Sequence, residues 1–169
     1  MTILHWVLLI VVIQRVVELL ISRHNTARLI AAGGTEHGAN HYIFIVAVHV
    51  AWIAVMYFFI APDQPASMPL IALFFALQLM RVWVIASLGR HWTTRVITVP
   101  GHVRFEHGPY RWIRHPNYVV VMLEIILLPI AFDAWAIAVI FGLLNGLVLA
   151  HRIRVENAAL GIAAGNEGA

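Results

Sequence analysis

The chain alternates between long apolar segments and short polar links, and this pattern predicts a bundle of membrane-spanning helices. The first three segments have the roughly 20 residues that a helix needs to cross a bilayer, and the fourth is shorter. Little more than Asp133 separates the last two, which predicts a tight helical hairpin, and Pro129 is expected to kink or end the fourth. We therefore predict a single-domain, all-α integral membrane protein with five transmembrane helices, at residues 3–21, 42–61, 69–88, 118–132 and 134–150.

The positions of the basic residues predict the orientation of these helices. All 11 basic residues are arginine, and outside the apolar segments they lie in the links after the first and third segments and beyond the fifth. The connections that contain Asp63 and Asp133 carry none. By the positive-inside rule, the N-terminus is outside and the C-terminus is cytoplasmic, as is the link at 89–117. The N-terminus has no basic region or cleavage site, so the first segment is predicted to be retained rather than removed as a signal peptide.

The composition excludes several kinds of site. The absence of cysteine excludes disulfides and thiolate chemistry. The sequence pI is about 10.0, but the arginines form no single solvated stripe, so nucleic acid is not a predicted partner. No glycine-rich nucleotide-binding motif is present. His37 and His41 flank a Gly-Ala-Asn stretch that is not expected to be a rigid helix, so no metal site is predicted. Gly142 and Gly146 are expected to allow close helix packing.

Four ionisable residues lie inside the apolar segments: Arg15, Glu18, Arg81 and Glu124. Each costs about 2.5–3.5 kcal/mol at mid-membrane when unpaired, and because their charges sum to zero we expect pairing within the bundle. Arg15 and Glu18 are three residues apart on one helix, which favours an ion pair. For Glu124 two roles stay open, pairing within the bundle and lining a ligand pocket. His49 and Gln78 are expected to be core polar residues with their hydrogen bonds satisfied.

The link at 89–117 is too long for a simple connector and contains a distinctive motif. Its residues 94–99 are β-prone, and residues 103–105 are expected to return as a short strand after a Pro-Gly turn. Residues 108–118 read Gly-Pro-Tyr-Arg-Trp-Ile-Arg-His-Pro-Asn-Tyr, a cluster of cationic, aromatic and turn-forming residues. Arg152 and Glu156 share one face of a helical extension at 151–160, on the same side of the membrane. The motif and the extension are therefore expected to wall one cleft.

This motif, followed by Arg152-x-x-x-Glu156-Asn-x-x-Leu160, resembles the isoprenylcysteine carboxyl methyltransferase family over residues 88–160. Members of that family are integral membrane enzymes that use S-adenosylmethionine as the methyl donor. The resemblance implies that Arg152 faces the methyl acceptor. For an alcohol acceptor, which needs a base, His115 and Glu156 are the candidates. It also implies a set of cofactor-binding residues: His102, Val103, Arg104, Phe105, Tyr110, His115, Pro116, Asn117, Tyr118 and Glu156.

The expected function is methyl transfer from S-adenosylmethionine to an oxygen of an amphipathic, membrane-partitioned molecule in a bacterial inner membrane. Asn157 stands where the family usually has a second acid. Two acceptor classes therefore stay open, the carboxylate of a prenylcysteine-like lipid and the enol or phenol of a long-chain polyketide lipid. A membrane reductase that uses NADPH and a non-enzymatic transporter or assembly subunit are the alternative interpretations. The sequence leaves the oligomeric state undetermined.

Overall fold

The computed structural model describes residues 2–39, 42–100 and 107–166, and most of these residues are helical. The helices are α1 (Ile3–Ala31), α2 (Tyr42–Phe59), α3 (Met68–Leu88), α4 (Pro116–Ala131) and α5 (Trp135–Asn166). Among the described residues, α1, α2, α3 and α5 contain stretches long and apolar enough to cross a membrane, whereas α4 has only 16 residues. The chain is thus an all-α membrane protein with four candidate spans and a shorter apolar helix.

Two helices continue well past the apolar segments that predict them. Helix α1 was expected to end near residue 21 but reaches Ala31, and α5 runs beyond residue 160 to Asn166. The extra turns of α1 carry buried polar side chains, and Asn25 Nδ2 donates hydrogen bonds to the carbonyl oxygens of Gly89 (3.1 Å) and Trp92 (2.8 Å). Hydropathy marks where a chain leaves the apolar layer, whereas a helix ends where its backbone hydrogen bonds stop.

Helices α4 and α5 form the tight hairpin that the sequence predicts. Helix α4 ends at Ala131, two residues after Pro129, and Asp133 turns the chain with a positive φ of 57°. The two helices pack closely because α5 presents glycine to α4. A Cβ atom at Gly142 would lie 3.1 Å from Cγ1 of Ile126, tighter than ordinary van der Waals contact. This contact agrees with the packing role predicted for the glycine pair of α5.

A two-stranded antiparallel sheet holds the long link against the end of α1. Strand β1 (Thr35–His37) pairs with β2 (Val96–Thr98), with Glu36 opposite Ile97. The sequence predicted a strand at 94–99 but proposed residues 103–105 as its partner; these lie outside the described residues. The observed partner follows α1 and was missed because a strand of three residues has no clear periodicity.

The main cluster of buried apolar side chains lies in one half of the bundle. We call the end where α1 and α3 finish and α4 begins the loop end. The core occupies the half away from it, with Trp52, Met56, Phe74, Ile125 and Phe132 almost completely buried. The polar side chains of the spans therefore lie between this core and the loop end, where the candidate site is found.

Candidate functional site

The motif at 108–118 is fastened to the end of α3 before it enters α4. Residues Gly108–Arg111 form a 3-10 turn. Gly108 has a φ of 58°, and a Cβ atom there would lie 2.4 Å from Oγ of Ser87, so this position requires glycine. His107 Nε2 lies 2.7 Å from the carbonyl oxygen of Ser87, to which it donates. Pro116 is buried and begins α4, a position that suits proline because the first helical N–H has no partner.

Tyr118 connects the motif to the far end of α5. Arg152 Nε donates a hydrogen bond of 2.7 Å to the Tyr118 hydroxyl, which donates one of 2.5 Å to Oε2 of Glu156. The guanidinium carbon of Arg152 also lies 5.6 Å from the centroid of the Tyr118 ring. Arg152 is buried although it carries a full charge. The two segments that the sequence predicted to share one cleft therefore touch.

His115 and Tyr110 complete this group of side chains. The rings of His115 and Tyr118 stack with centroids 5.2 Å apart and an angle of 18° between their planes. His115 Nδ1 lies 3.7 Å from Oε1 of Glu156. Burial, and secondarily the negative charge of Glu156, raise the pKa of the Tyr110 phenol above its usual 10.0. We call the five residues His115, Tyr110, Tyr118, Arg152 and Glu156 the Tyr118 cluster.

A cavity of about 150 Å³ extends from the Tyr118 cluster into the bundle. Arg152, Tyr118 and Asn117 line its mouth, and Oδ1 of Asn117 is buried with no hydrogen-bond partner in the described part of the chain. Leu19 and Val50 line the cavity and are also exposed on the outer surface, so the cavity reaches the lipid-facing side between α1 and α2. The remaining lining residues are Arg15, Glu18, Tyr42, Ile45, Val46, His49, Ile53, Arg81, Trp92, Thr94, Val121 and Leu149.

The four intramembrane charges form one ion-pair network beside this cavity. Arg81 bonds both carboxylates, with Nε 2.5 Å from Oε1 of Glu18 and Nη1 3.1 Å from Oε2 of Glu124. Arg15 also bonds both, with distances of 2.9 Å to Glu18 and 2.5 Å to Glu124. Glu124 is completely buried, while Arg15, Glu18 and Arg81 line the cavity. Of the two roles left open for Glu124, the structure shows pairing within the bundle, and Glu124 is not among the residues that line the cavity.

His49 and Gln78 were expected to have all of their hydrogen bonds satisfied, and the structure satisfies them only in part. The His49 ring hydrogen-bonds the carbonyl oxygen of Ile45 at 2.8 Å through Nδ1, and the residue lines the cavity. Gln78 Nε2 is 3.5 Å from the carbonyl oxygen of Phe74, and within the described residues its buried Oε1 has no hydrogen-bond partner. Each of these side chains is therefore satisfied at one end only.

The structure brings together most of the residues that the sequence singled out. Tyr110, His115, Pro116, Asn117, Tyr118, Arg152 and Glu156 all lie at the loop end, around the start of α4 and the far part of α5. His102, Val103, Arg104 and Phe105 lie outside the described residues. No group of three or more histidine, aspartate or glutamate side chains that would suit a metal occurs in the described ranges.

Sequence reasoning missed the contribution of α1 and α2 to the cavity. Tyr42, Trp92 and Thr94 were not singled out as lining residues. Arg15 was expected to pair with Glu18, and His49 was expected to be a core polar residue with its hydrogen bonds satisfied. The available signal was the cost of polar groups inside apolar helices. That cost indicates that such residues face inward, but it does not distinguish a packed ion pair from the wall of a cavity.

A second, more apolar cleft lies on the other side of Tyr118, between α4 and α5. Tyr118 and Leu149 line both spaces, so they form a wall between them. The other residues of the cleft are Ile113, Arg114, His115, Val119, Met122, Gly146, Ala150 and Ile153. A Cβ atom at Gly146 would lie 3.4 Å from Cε of Met122, which is an ordinary van der Waals contact.

Comparisons with known proteins identify two relatives and one family. The chain is 34% identical over 160 residues to the Uncharacterized protein YpbQ of Bacillus subtilis (strain 168), which covers 92% of this chain and 95% of that protein. It is 28% identical over 148 residues to an Uncharacterized protein of Haemophilus influenzae, covering 82% and 83%. No solved structure matches the chain. The model of the isoprenylcysteine carboxyl methyltransferase (ICMT) family matches residues 70–162, which include α4, the Tyr118 cluster and most of α5. The chain therefore belongs to the ICMT family of membrane methyltransferases.

Proposed function

We propose that the chain is an O-methyltransferase that uses S-adenosylmethionine and acts on an amphipathic molecule that enters from the bilayer. The observation that carries this proposal is the contact of Arg152 and Glu156 with Tyr118 at the mouth of a mostly apolar cavity. Family membership supports the methyl chemistry. The cavity supports a lipid-like acceptor, because its walls are apolar and it reaches the lipid-facing surface between α1 and α2.

The residues around Tyr118 suit the chemical groups of the cofactor. Glu156 and the buried Oδ1 of Asn117 are acceptors for an ammonium group, and the neutral His115 ring has one N–H that can donate to a carboxylate. The stacked rings of His115 and Tyr118 offer an aromatic face to a sulfonium, a contact worth about 0.5–2 kcal/mol when desolvated. We propose that Tyr110 and Pro116 complete this surface together with the segment that contains His102, Val103, Arg104 and Phe105.

Arg152, Glu156 and His115 have separate roles in the proposed reaction. S-adenosylmethionine supplies an electrophilic methyl group on a positively charged sulfur when it is bound. Arg152 holds the anionic oxygen of the acceptor, and its buried guanidinium has a strong field because little water surrounds it. His115, next to Glu156, takes the proton of an acceptor whose oxygen is not already ionised. The apolar cavity excludes water, which favours a reaction in which opposite charges cancel.

We further propose that the bundle crosses the membrane five times as a single domain, with α4 as the short crossing. The described arginines of the link after α3 and of the far part of α5 lie at the loop end, which supports a cytoplasmic position for that end and an external N-terminus. In a bacterium this is the inner membrane. The water-soluble methyl donor then approaches from the cytoplasm and the acceptor from the bilayer. Both acceptor classes, a lipid carboxylate and an enol or phenol, are compatible with Arg152.

Calorimetry of S-adenosylmethionine binding tests the proposal. We expect Glu156→Ala to weaken binding at least about tenfold, because a charge-assisted hydrogen bond contributes about 1.5–3 kcal/mol. Glu36→Ala is the matched control, because it removes a carboxylate that pairs with Arg95 on the small sheet, and it should leave the affinity unchanged. Equal affinities for wild type and Glu156→Ala contradict the proposal.

Two alternatives give different results in direct measurements. A membrane reductase predicts that NADPH co-purifies with the protein, which mass spectrometry of the extracted ligand detects. If the protein is a transporter or an assembly subunit, it should bind neither cofactor, and polar residues should line the whole path across the bilayer. Such a continuous polar path disagrees with the apolar core in the half of the bundle away from the loop end.

A further inference from the structure

Two polar side chains, Arg15 and His49, line the cavity well below the Tyr118 cluster, and we call this part of its wall the floor. Ser22 Oγ lies 2.7 Å from Thr94 Oγ1, which donates to the Tyr42 hydroxyl, so α1 and α2 are level at the loop end. Arg15 precedes Ser22 by seven residues, and His49 follows Tyr42 by seven. At 1.5 Å per residue, both side chains start about 10 Å deeper in the bundle than these hydroxyl groups. Arg15 and His49 both line the cavity at this depth.

His49 presents a hydrogen-bond acceptor to this floor. Its Nδ1 lies 2.8 Å from the carbonyl oxygen of Ile45, and because a carbonyl oxygen can only accept, Nδ1 carries the proton. In the neutral ring Nε2 is then a bare acceptor. Within the described ranges, the hydrogen bond of the His49 side chain is the one to Ile45. The ring therefore has acceptor capacity left for a molecule in the cavity.

Arg15 presents donors to the same floor, whereas the donors of Arg81 are more fully used. A guanidinium has five N–H donors, and Arg15 makes one hydrogen bond to Glu18 and one to Glu124. Its side chain keeps 16% of its surface exposed. Arg81 uses all three of its nitrogens on the same two carboxylates, and its side chain is only 6% exposed. The floor thus combines one partly free cationic donor with one neutral acceptor.

We propose that Arg15 and His49 are specificity-determining residues that bind a second hydroxyl group of the methyl acceptor, deeper in the cavity than the oxygen held by Arg152. This inference rests on the proposed function. A hydroxyl group can accept a hydrogen bond from Arg15 and donate one to Nε2 of His49 at the same time. A carboxylate can only accept, so its oxygen would be repelled by the lone pair on Nε2. Both residues precede the region that matches the family model, so the hydroxyl preference is a property of this chain's own first two helices.

Equilibrium binding of defined probes to the protein in lipid nanodiscs tests this proposal. The probes are radiolabelled 4-(6-hydroxyhexyl)phenol, its chain methyl ether 4-(6-methoxyhexyl)phenol and the carboxylate 6-(4-hydroxyphenyl)hexanoate, with empty nanodiscs subtracted. In each probe the phenol oxygen can reach Arg152 while the group at the end of the chain reaches the floor. We expect wild type to bind the chain alcohol about tenfold more tightly than the other two, as one satisfied buried hydrogen bond implies. His49→Leu should abolish the preference, and His49→Gln, which keeps an acceptor, should retain part of it.

The matched control is Gln78→Leu, which removes an intramembrane polar group that is not among the lining residues and should keep the full preference. Equal binding of the chain alcohol and its methyl ether by wild type, or an unchanged preference in His49→Leu, overturns the proposal. Calorimetry of S-adenosylmethionine in the same nanodiscs separates the two proposals. Absence of cofactor binding contradicts the methyltransferase proposal, while the probe preference still decides the role of His49.

Discussion

Tyr118 and Glu156 are joined by a hydrogen bond of 2.5 Å across 38 residues of sequence. The same hydroxyl accepts from Arg152, so Tyr118 stands between two charges that lie one turn apart on α5. In the described part of the chain Arg152 and Glu156 form no direct ion pair. Glu156 Oε1 lies on the side of His115. Among the described residues, the hydrogen bond of the Arg152 side chain is the one from Nε to Tyr118. The Tyr118 hydroxyl thus connects two opposite charges.

We predict that Tyr118→Phe reduces kcat/KM for methyl transfer about tenfold to a hundredfold. The ring and its stacking on His115 remain, but Arg152 and Glu156 lose the hydroxyl that sets their positions, at a cost of about 1.5–3 kcal/mol. The measurement is transfer of radiolabelled methyl from S-adenosylmethionine to 4-dodecylphenol. Tyr57→Phe is the control, because Tyr57 is exposed on α2. Full activity of Tyr118→Phe would show that the bridge has no part in the reaction.

We predict that Arg81→Met destabilises the bundle by about 3–5 kcal/mol, because it leaves the carboxylates of Glu18 and Glu124 buried with Arg15 as their one cationic partner among the described residues. The free energy of unfolding by SDS in mixed micelles measures this loss. Adding Glu18→Gln should recover part of it, since one uncompensated charge is removed. The surface variant Arg95→Met should cost no more than about 1 kcal/mol. Similar costs for the two arginine variants contradict the network.

We predict that the stability contribution of Tyr110 falls at alkaline pH. Burial and the Glu156 carboxylate raise the pKa of its phenol, so the folded chain keeps a proton that the unfolded chain loses near pH 10. The contribution is complete below pH 10 and is lost as the pH rises toward the pKa of the folded state. The test compares the fall in Tm above pH 10 for wild type and Tyr110→Phe.

The part of this shift that comes from Glu156 has its own readout. Ultraviolet titration of wild type minus Tyr110→Phe isolates the ionisation of this phenol. In the Glu156→Gln background we expect the phenol to ionise at a lower pH, because the neighbouring negative charge is gone. An unchanged titration in that background would mean that Tyr110 and Glu156 are too far apart to interact.

We predict that Gly108→Ala weakens S-adenosylmethionine binding about tenfold. The new Cβ would collide with Oγ of Ser87, and the positive φ costs a non-glycine residue about 1–2 kcal/mol. The motif must then shift away from the end of α3. Calorimetry measures the affinity, and adding Ser87→Gly should restore it only in part because the backbone strain remains. Gly161→Ala, where a Cβ meets nothing within 4 Å, should behave as wild type.

Much of the fold was predictable because long apolar segments identify membrane-spanning helices. The starts of α2 and α3 lie within one residue of the predicted positions, and the turn at Asp133 follows Pro129 as expected. The end of α1 was not predictable, because the polar turns that continue this helix are held by distant contacts such as that of Asn25 with Trp92. The helical extension of α5 was predicted to residue 160, and the helix reaches Asn166. Hydropathy has no information about a partner that is far away in the sequence.

The candidate site was predictable in its parts and not in its assembly. The motif at 108–118 and the Arg152–Glu156 spacing identified the residues, and positive-inside reasoning put them on one side of the membrane. That Tyr118 bridges Arg152 and Glu156 depends on how α4 packs against α5. Similarly, the sequence showed only that the four intramembrane charges cancel. That each arginine pairs with both glutamates depends on the order and rotation of the helices.

The sequence by itself determined that this protein is a membrane helical bundle with cationic and aromatic chemistry at one end, because the solvation cost of apolar and charged groups is a local property of each segment. The tertiary structure alone decided that α1 and α2 contribute Arg15 and His49 to a cavity beneath the Tyr118 cluster. Packing set this arrangement, since contacts between helices depend on the relative rotation of several segments that no single stretch of sequence specifies.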